Sequence, residues 1–72
     1  MSRNVHVVPS DGGWKVQVEG GQGSKQFKTQ REAMTVGRNI ARSNRADQII
    51  HGRDGRIRQR DSYGRDPFPP RG

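Results

Sequence analysis

On a helix beginning at Gln30, Arg31, Arg38, Arg42 and Arg45 stand at relative positions 0, 7, 11 and 14. That spacing lays four guanidinium groups along one stripe, beside or opposite the apolar face. Aligned cations of this kind can follow a phosphate backbone. Further on, "GRIRQR" alternates Arg56, Arg58 and Arg60 with Ile57 and Gln59. Strand periodicity sends the three arginines to one face, and Arg53 in the preceding turn can extend it. The planar, multi-donor arginine head suits phosphate or carboxylate better than a point charge does. Two ordinary readings stand beside this one. A solvated helix face needs charge for solubility, and Asp54 and Asp61 can pair locally with the hairpin arginines.

Other reactive residue types are sparse. His6 and His51 are the only histidines, and each could bind a metal or carry a proton. Neither has another His or Cys close by in sequence, whereas a metal site needs three or four convergent ligands. Packing or a backbone hydrogen bond is therefore the expected role, and no metal or other cofactor is expected. Asp61, Ser62 and Tyr63 lack the adjacent base and oxyanion donors that acyl transfer requires. Gly20, Gly21 and Gly23 are not followed by the Lys-Ser/Thr of a phosphate loop. No small-molecule substrate is evident, and an enzyme is not expected.

A chain of 72 residues carries one domain at most, and a small one. Its formal charge is +7, divided as +2 over residues 1–28, +3 over 29–45 and +2 over 46–72. The excess is thus spread rather than held in a tail, which favours association with polyanions. There are no cysteines, which excludes disulfide staples and thiolate metal sites and fits a reducing compartment. No stretch has the length of a membrane span, and the opening residues do not read as a signal peptide. A cytoplasmic protein is expected, without membrane association.

These residues must be positioned by a small α+β fold. "NVHVVPS" alternates as a strand with Val5 and Val7 on one face, ended by Pro9. "DGG" suits the positive-φ positions of a tight hairpin turn. "WKVQVEG" sends Trp14, Val16 and Val18 inward. "SKQFKT" gives a third strand anchored by Phe27. Thr29 and Glu32 form the pattern of a capping box, and a helix follows from Gln30 to about Asn44. Its apolar face carries Ala33, Val36, Ile40 and Ala41, with Gly37 among them. "DQIIHG" and "GRIR" close the fold as a hairpin, with Ile49 and Ile57 facing the core. The expected architecture is a single-layer antiparallel sheet in βββαββ order, packed against one helix. Residues 1–60 form the domain and residues 61–72 a Pro/Gly-rich extension.

The motifs "HVVP" at His6–Pro9, "GGW" at Gly12–Trp14 and "HGRDGRIRQRDSYGRDPFPP" at His51–Pro70 resemble those of a bacterial family called domain of unknown function 2188. The likeness spans nearly the whole chain, and its members have a helix rich in Ala and Arg. It implies the same element order and supplies no catalytic residue.

Two functions are compatible with these features. The first is a non-enzymatic basic domain that binds nucleic acid, duplex DNA above all, through Arg31, Arg38, Arg42, Arg45, Arg53, Arg56, Arg58 and Arg60. Single-strand binders present several stacking rings, but Trp14 and Phe27 belong to the core here, leaving only Tyr63 and Phe68. The second is an interaction module that binds itself or another protein, through a sheet edge or through Tyr63 and Phe68. Pro67, Pro69 and Pro70 stiffen that last segment, which either folds back or docks on a partner.

Overall fold

The computed structural model describes residues 3–21 and 23–63. Strands β1 (Val5–Ser10), β2 (Gly13–Val18) and β3 (Ser24–Phe27) precede helix α1 (Gln30–Asn44), and β4 (Asp47–His51) and β5 (Ile57–Ser62) follow it. The five strands form one sheet in the order β3-β2-β1-β4-β5. The expected βββαββ order holds, and β5 carries the folded unit past residue 60 to Ser62. The sheet is mixed, because β1 and β4 pair in parallel while the other pairs are antiparallel. β3 runs in the direction of β1, and the helical crossover from β3 past β2 and β1 returns the chain in that direction, so β4 pairs with β1 in parallel.

Local chemistry explains most boundaries. Asp11 and Gly12 both have positive φ, 30° and 79°, which makes the two-residue turn that joins β1 to β2. Pro9 does not end β1. It sits inside the strand opposite Trp14, and the ladder runs on to the Ser10–Gly13 pair. Thr29 is extended and its hydroxyl accepts from the Glu32 N–H at 3.1 Å, so it caps the helix start as its type suggests. At the other end Arg45 takes the left-handed conformation, φ 54°, and Ala46 N–H reaches back to the Ala41 carbonyl at 2.9 Å. That reversal satisfies the last carbonyls and drops the chain into β4.

Val5, Val7, Trp14, Val16, Ala33, Ala41 and Ile50 make the buried cluster between helix and sheet, with Val18, Phe27, Met34, Ile40 and Tyr63 packed around it. Gly37 is buried on the inner face of α1. A β-carbon there would collide with Gln48 Oε1 and press on Val7 Cγ2 at 3.2 Å. The missing side chain therefore sets how closely α1 lies on β1 and β4. Gln48 is 2% exposed, and its Oε1 has no hydrogen-bond partner.

Two core assignments change. Ile49 is buried but lies on the sheet face away from the helix, opposite His6 on one side and Arg60 on the other. Ile50 takes the place under the helix. Ile57 is 61% exposed, because an irregularity between Ile50 and His51 breaks the alternation of the last hairpin. A bulge of this sort inserts a residue and resets which side chains face in.

Candidate functional site

The parallel β1–β4 pairing places the β4–β5 turn beside the N-terminus of α1, and the basic residues of both segments meet there. Lys28, Arg53 and Arg58, with Trp14, Thr29 and Gln30, line a depression of about 530 Å³. The Arg53 guanidinium stands 5.5 Å from the Trp14 ring centre, within cation–π range. Arg53, Arg56 and Arg58 also border an adjoining depression with Ile57. The first turn of α1 adds the positive end of the helix dipole.

A groove leads away from this end. The helix packs on β1, β2, β3 and β4, and the inner side of β5 forms the far wall of a trough of about 520 Å³. Arg31 and Arg38 stand on the helix side, with Gln59, Asp61 and Tyr63 across from them and Gln48 between. Gln30 belongs to both trough and basic depression.

The eight arginines singled out by spacing do not make one patch. Arg31, Arg38, Arg53, Arg56 and Arg58 lie along the basic end and its groove. Arg42 is exposed in the last turn of α1, and Arg45 leaves the stripe because it is the left-handed residue that ends the helix. Arg60 sits on the opposite sheet face, where Nη2 meets Asp47 Oδ2 at 2.7 Å. The alternation that would align Arg56, Arg58 and Arg60 fails at the bulge. Of the two aspartates expected to pair locally, Asp54 meets a hairpin arginine, though weakly. Asp54 Oδ2 is 3.9 Å from Arg56 Nε with both side chains exposed, a separation worth little in water. Its Oδ1 instead accepts the Arg56 backbone N–H, and Asp61 accepts from Gln59.

Tyr63 is half-buried against the core and donates its N–H to the Ala46 carbonyl at 3.2 Å. Phe68 and the proline segment lie outside the described residues.

The sheet face away from the helix carries a second polar grouping that sequence reasoning missed. His6 Nδ1 and His51 Nε2 are 3.1 Å apart, and His6 Nε2 donates to Glu19 Oε2 at 2.8 Å. His51 Nδ1 is 3.5 Å from the Gly55 carbonyl oxygen. The two histidines are 45 residues apart in the chain, so only the β1–β4 adjacency reveals the pair. Among the described residues no three His, Cys, Asp or Glu side chains converge on a metal position, and no helix is long and apolar enough to cross a membrane.

The family model described as "Uncharacterized protein conserved in bacteria (DUF2188)" matches residues 5–63. No curated protein and no solved structure matches the chain.

The hydrogen bond from His6 is the main cause that holds the Glu19 carboxyl below its ordinary value of 4.5, with attraction to His6 and Arg60 adding to it. A carboxylate lowered in the folded state stabilises the fold above its unfolded pKa and loses that contribution as pH falls through the folded one. Glu19→Gln is thus expected to lower the melting temperature slightly at neutral pH. Thermal melts should show the gap to the parent closing once acid protonates Glu19.

Proposed function

The chain belongs to the DUF2188 family, and from that premise we propose that it is a non-enzymatic cytoplasmic domain that binds polyanions, duplex DNA in particular, through its basic end. The observation that carries this reading is the meeting of Lys28, Arg53 and Arg58 in one depression at the start of α1. Phosphate oxygens suit such a position, because arginine forks donate to an anion and the positive end of the helix dipole favours negative charge. Arg56 borders the same end, and Arg31 and Arg38 prolong it along the groove. The path therefore runs from the β4–β5 turn along one side of α1, rather than down the whole helix. Contacts of this type position a backbone without reading bases.

Fluorescence anisotropy with a duplex DNA checks the proposal. Binding is expected in the micromolar range or weaker, with log affinity falling against log salt by roughly 0.9 for each phosphate contacted. Lys28→Ala and Arg58→Ala should each flatten that slope by about one, whatever the DNA sequence. Arg42→Ala should leave it unchanged. An absence of binding at low salt, or equal losses from all three variants, would contradict the reading.

A second reading is favoured by one feature. Ile57 is an exposed apolar residue on an edge strand, and edges of this kind recruit further strands. Association of two copies through β5 is the form it takes. Sedimentation should then show a concentration-dependent dimer that Ile57→Lys converts to monomer, and a monomer at all concentrations would exclude it.

A further inference from the structure

Glu19, His6, His51 and the β4–β5 turn stand in one line of polar contacts on the open sheet face. A carboxylate only accepts, so the 2.8 Å contact with Glu19 puts the proton of a neutral His6 on Nε2 and leaves Nδ1 as an acceptor. His51 Nε2 faces that acceptor at 3.1 Å and is the donor. Two neutral rings thus complete the line as far as His51. Its other nitrogen, Nδ1, is then a lone pair 3.5 Å from the Gly55 carbonyl oxygen. That contact sets acceptor against acceptor, and it is where one further proton fits.

Protonation of His51 Nδ1 turns the repulsion into a charge-assisted hydrogen bond, which draws such atoms to about 2.7–2.9 Å. A second proton has no comparable place, because on His6 Nδ1 it would set N–H against N–H across the 3.1 Å gap. We propose that His6 and His51 titrate as one unit, which takes up a single proton at His51 Nδ1 and thereby ties the β4–β5 turn to the sheet. The turn otherwise closes on itself, Gly52 N–H to the Arg56 carbonyl and Gly55 N–H to the Gly52 carbonyl. The His51 ring adds a link from β4 to its tip. Protonation also places a positive charge at the foot of the turn that bears Arg53 and Arg56. On the polyanion reading, on which this consequence rests, duplex binding therefore tightens as pH falls.

The surroundings admit one added charge. Glu19 supplies the counter-charge, and its bond from His6 favours the ionised form. Arg60 of β5 and Asp47 of β4 pair with each other, Lys15 of β2 lies in register with Val8, and Asp54 and Arg56 stand in the turn. His6 and His51 are the only histidines, and the chain has no cysteine. Histidine is the side chain that ordinarily titrates between about pH 5 and 8, so the side-chain response in that window belongs to this pair.

Ring-nitrogen and backbone resonances of the full chain, followed without DNA from about pH 8 to about pH 5, provide the first test. One proton is expected to enter, with His51 becoming doubly protonated, His6 Nδ1 staying bare, and the Gly55 carbonyl signal moving in step with His51. Glu19→Gln, which removes the counter-charge, should displace that change to lower pH. Two rings that each take up a proton independently, or a Gly55 signal indifferent to His51, would overturn the proposal. Anisotropy with duplex DNA at the two pH limits reads the coupling. Binding about five-fold tighter at the acid limit is expected, with the gain lost in His51→Gln. Equal affinities at both limits, or a gain that survives in His51→Gln, would overturn the coupling. No binding at low salt at either limit removes the polyanion reading, and the signals of the free chain still decide the proton's place.

Discussion

The close approach of α1 to β1 and β4 governs everything else in this molecule. Gly37 has no side chain to hold the helix off, so the amide of Gln48 and the methyl of Val7 come up against its backbone. Beneath that contact Val5 pairs with Gln48 and Val7 with Ile50 in parallel register. The register has two consequences at once. It sets His51 beside His6 on the outer face, and it brings the β4–β5 turn to the start of the helix, where Arg53 and Arg58 join Lys28. Both candidate sites are thus products of one packing decision in a small core.

The helix is narrower than the sheet, and that mismatch shapes the surface. α1 seals β1, β2 and β4, whereas β5 projects beyond it and forms one wall of the groove bearing Arg31 and Arg38. Arg31 and Arg38 face Asp61 across that groove, and Asp54 borders Arg53 and Arg56 in the turn. On the reverse side Arg60 pairs with Asp47 and His6 with Glu19. Lys28, Arg53 and Arg58 are the cations gathered in one depression at the start of α1.

Much of the fold was legible from short-range chemistry. The Asp11–Gly12 turn, the alternation of Trp14, Val16 and Val18, and the Thr29 cap are each decided by neighbouring residues, and each stands where its type requires. What was not legible depends on contacts distant in sequence. No local pattern couples His6 to His51, since their meeting needs β4 to insert beside β1. Ile57 looked like a core residue because alternation from Ile49 was carried through the hairpin, and a bulge reset it. Arg45 fitted the helical spacing of the other arginines, but the chain needed a left-handed residue there to turn into β4. Five of the eight arginines share one region because of the crossover, and their spacing alone pointed to a longer stripe.

The constraint at Gly37 is open to a double-mutant cycle on thermal or denaturant stability. Alanine at position 37 gains roughly 1 kcal/mol of helix propensity over glycine but crowds Gln48. Gly37→Ala should therefore be distinctly less favourable in the parent than in a Gln48→Ala background, with a coupling energy of about 0.5–3 kcal/mol. Additive effects of the two substitutions would show that the helix does not rest on the Gln48 amide, and the assembly of both surfaces would need another cause.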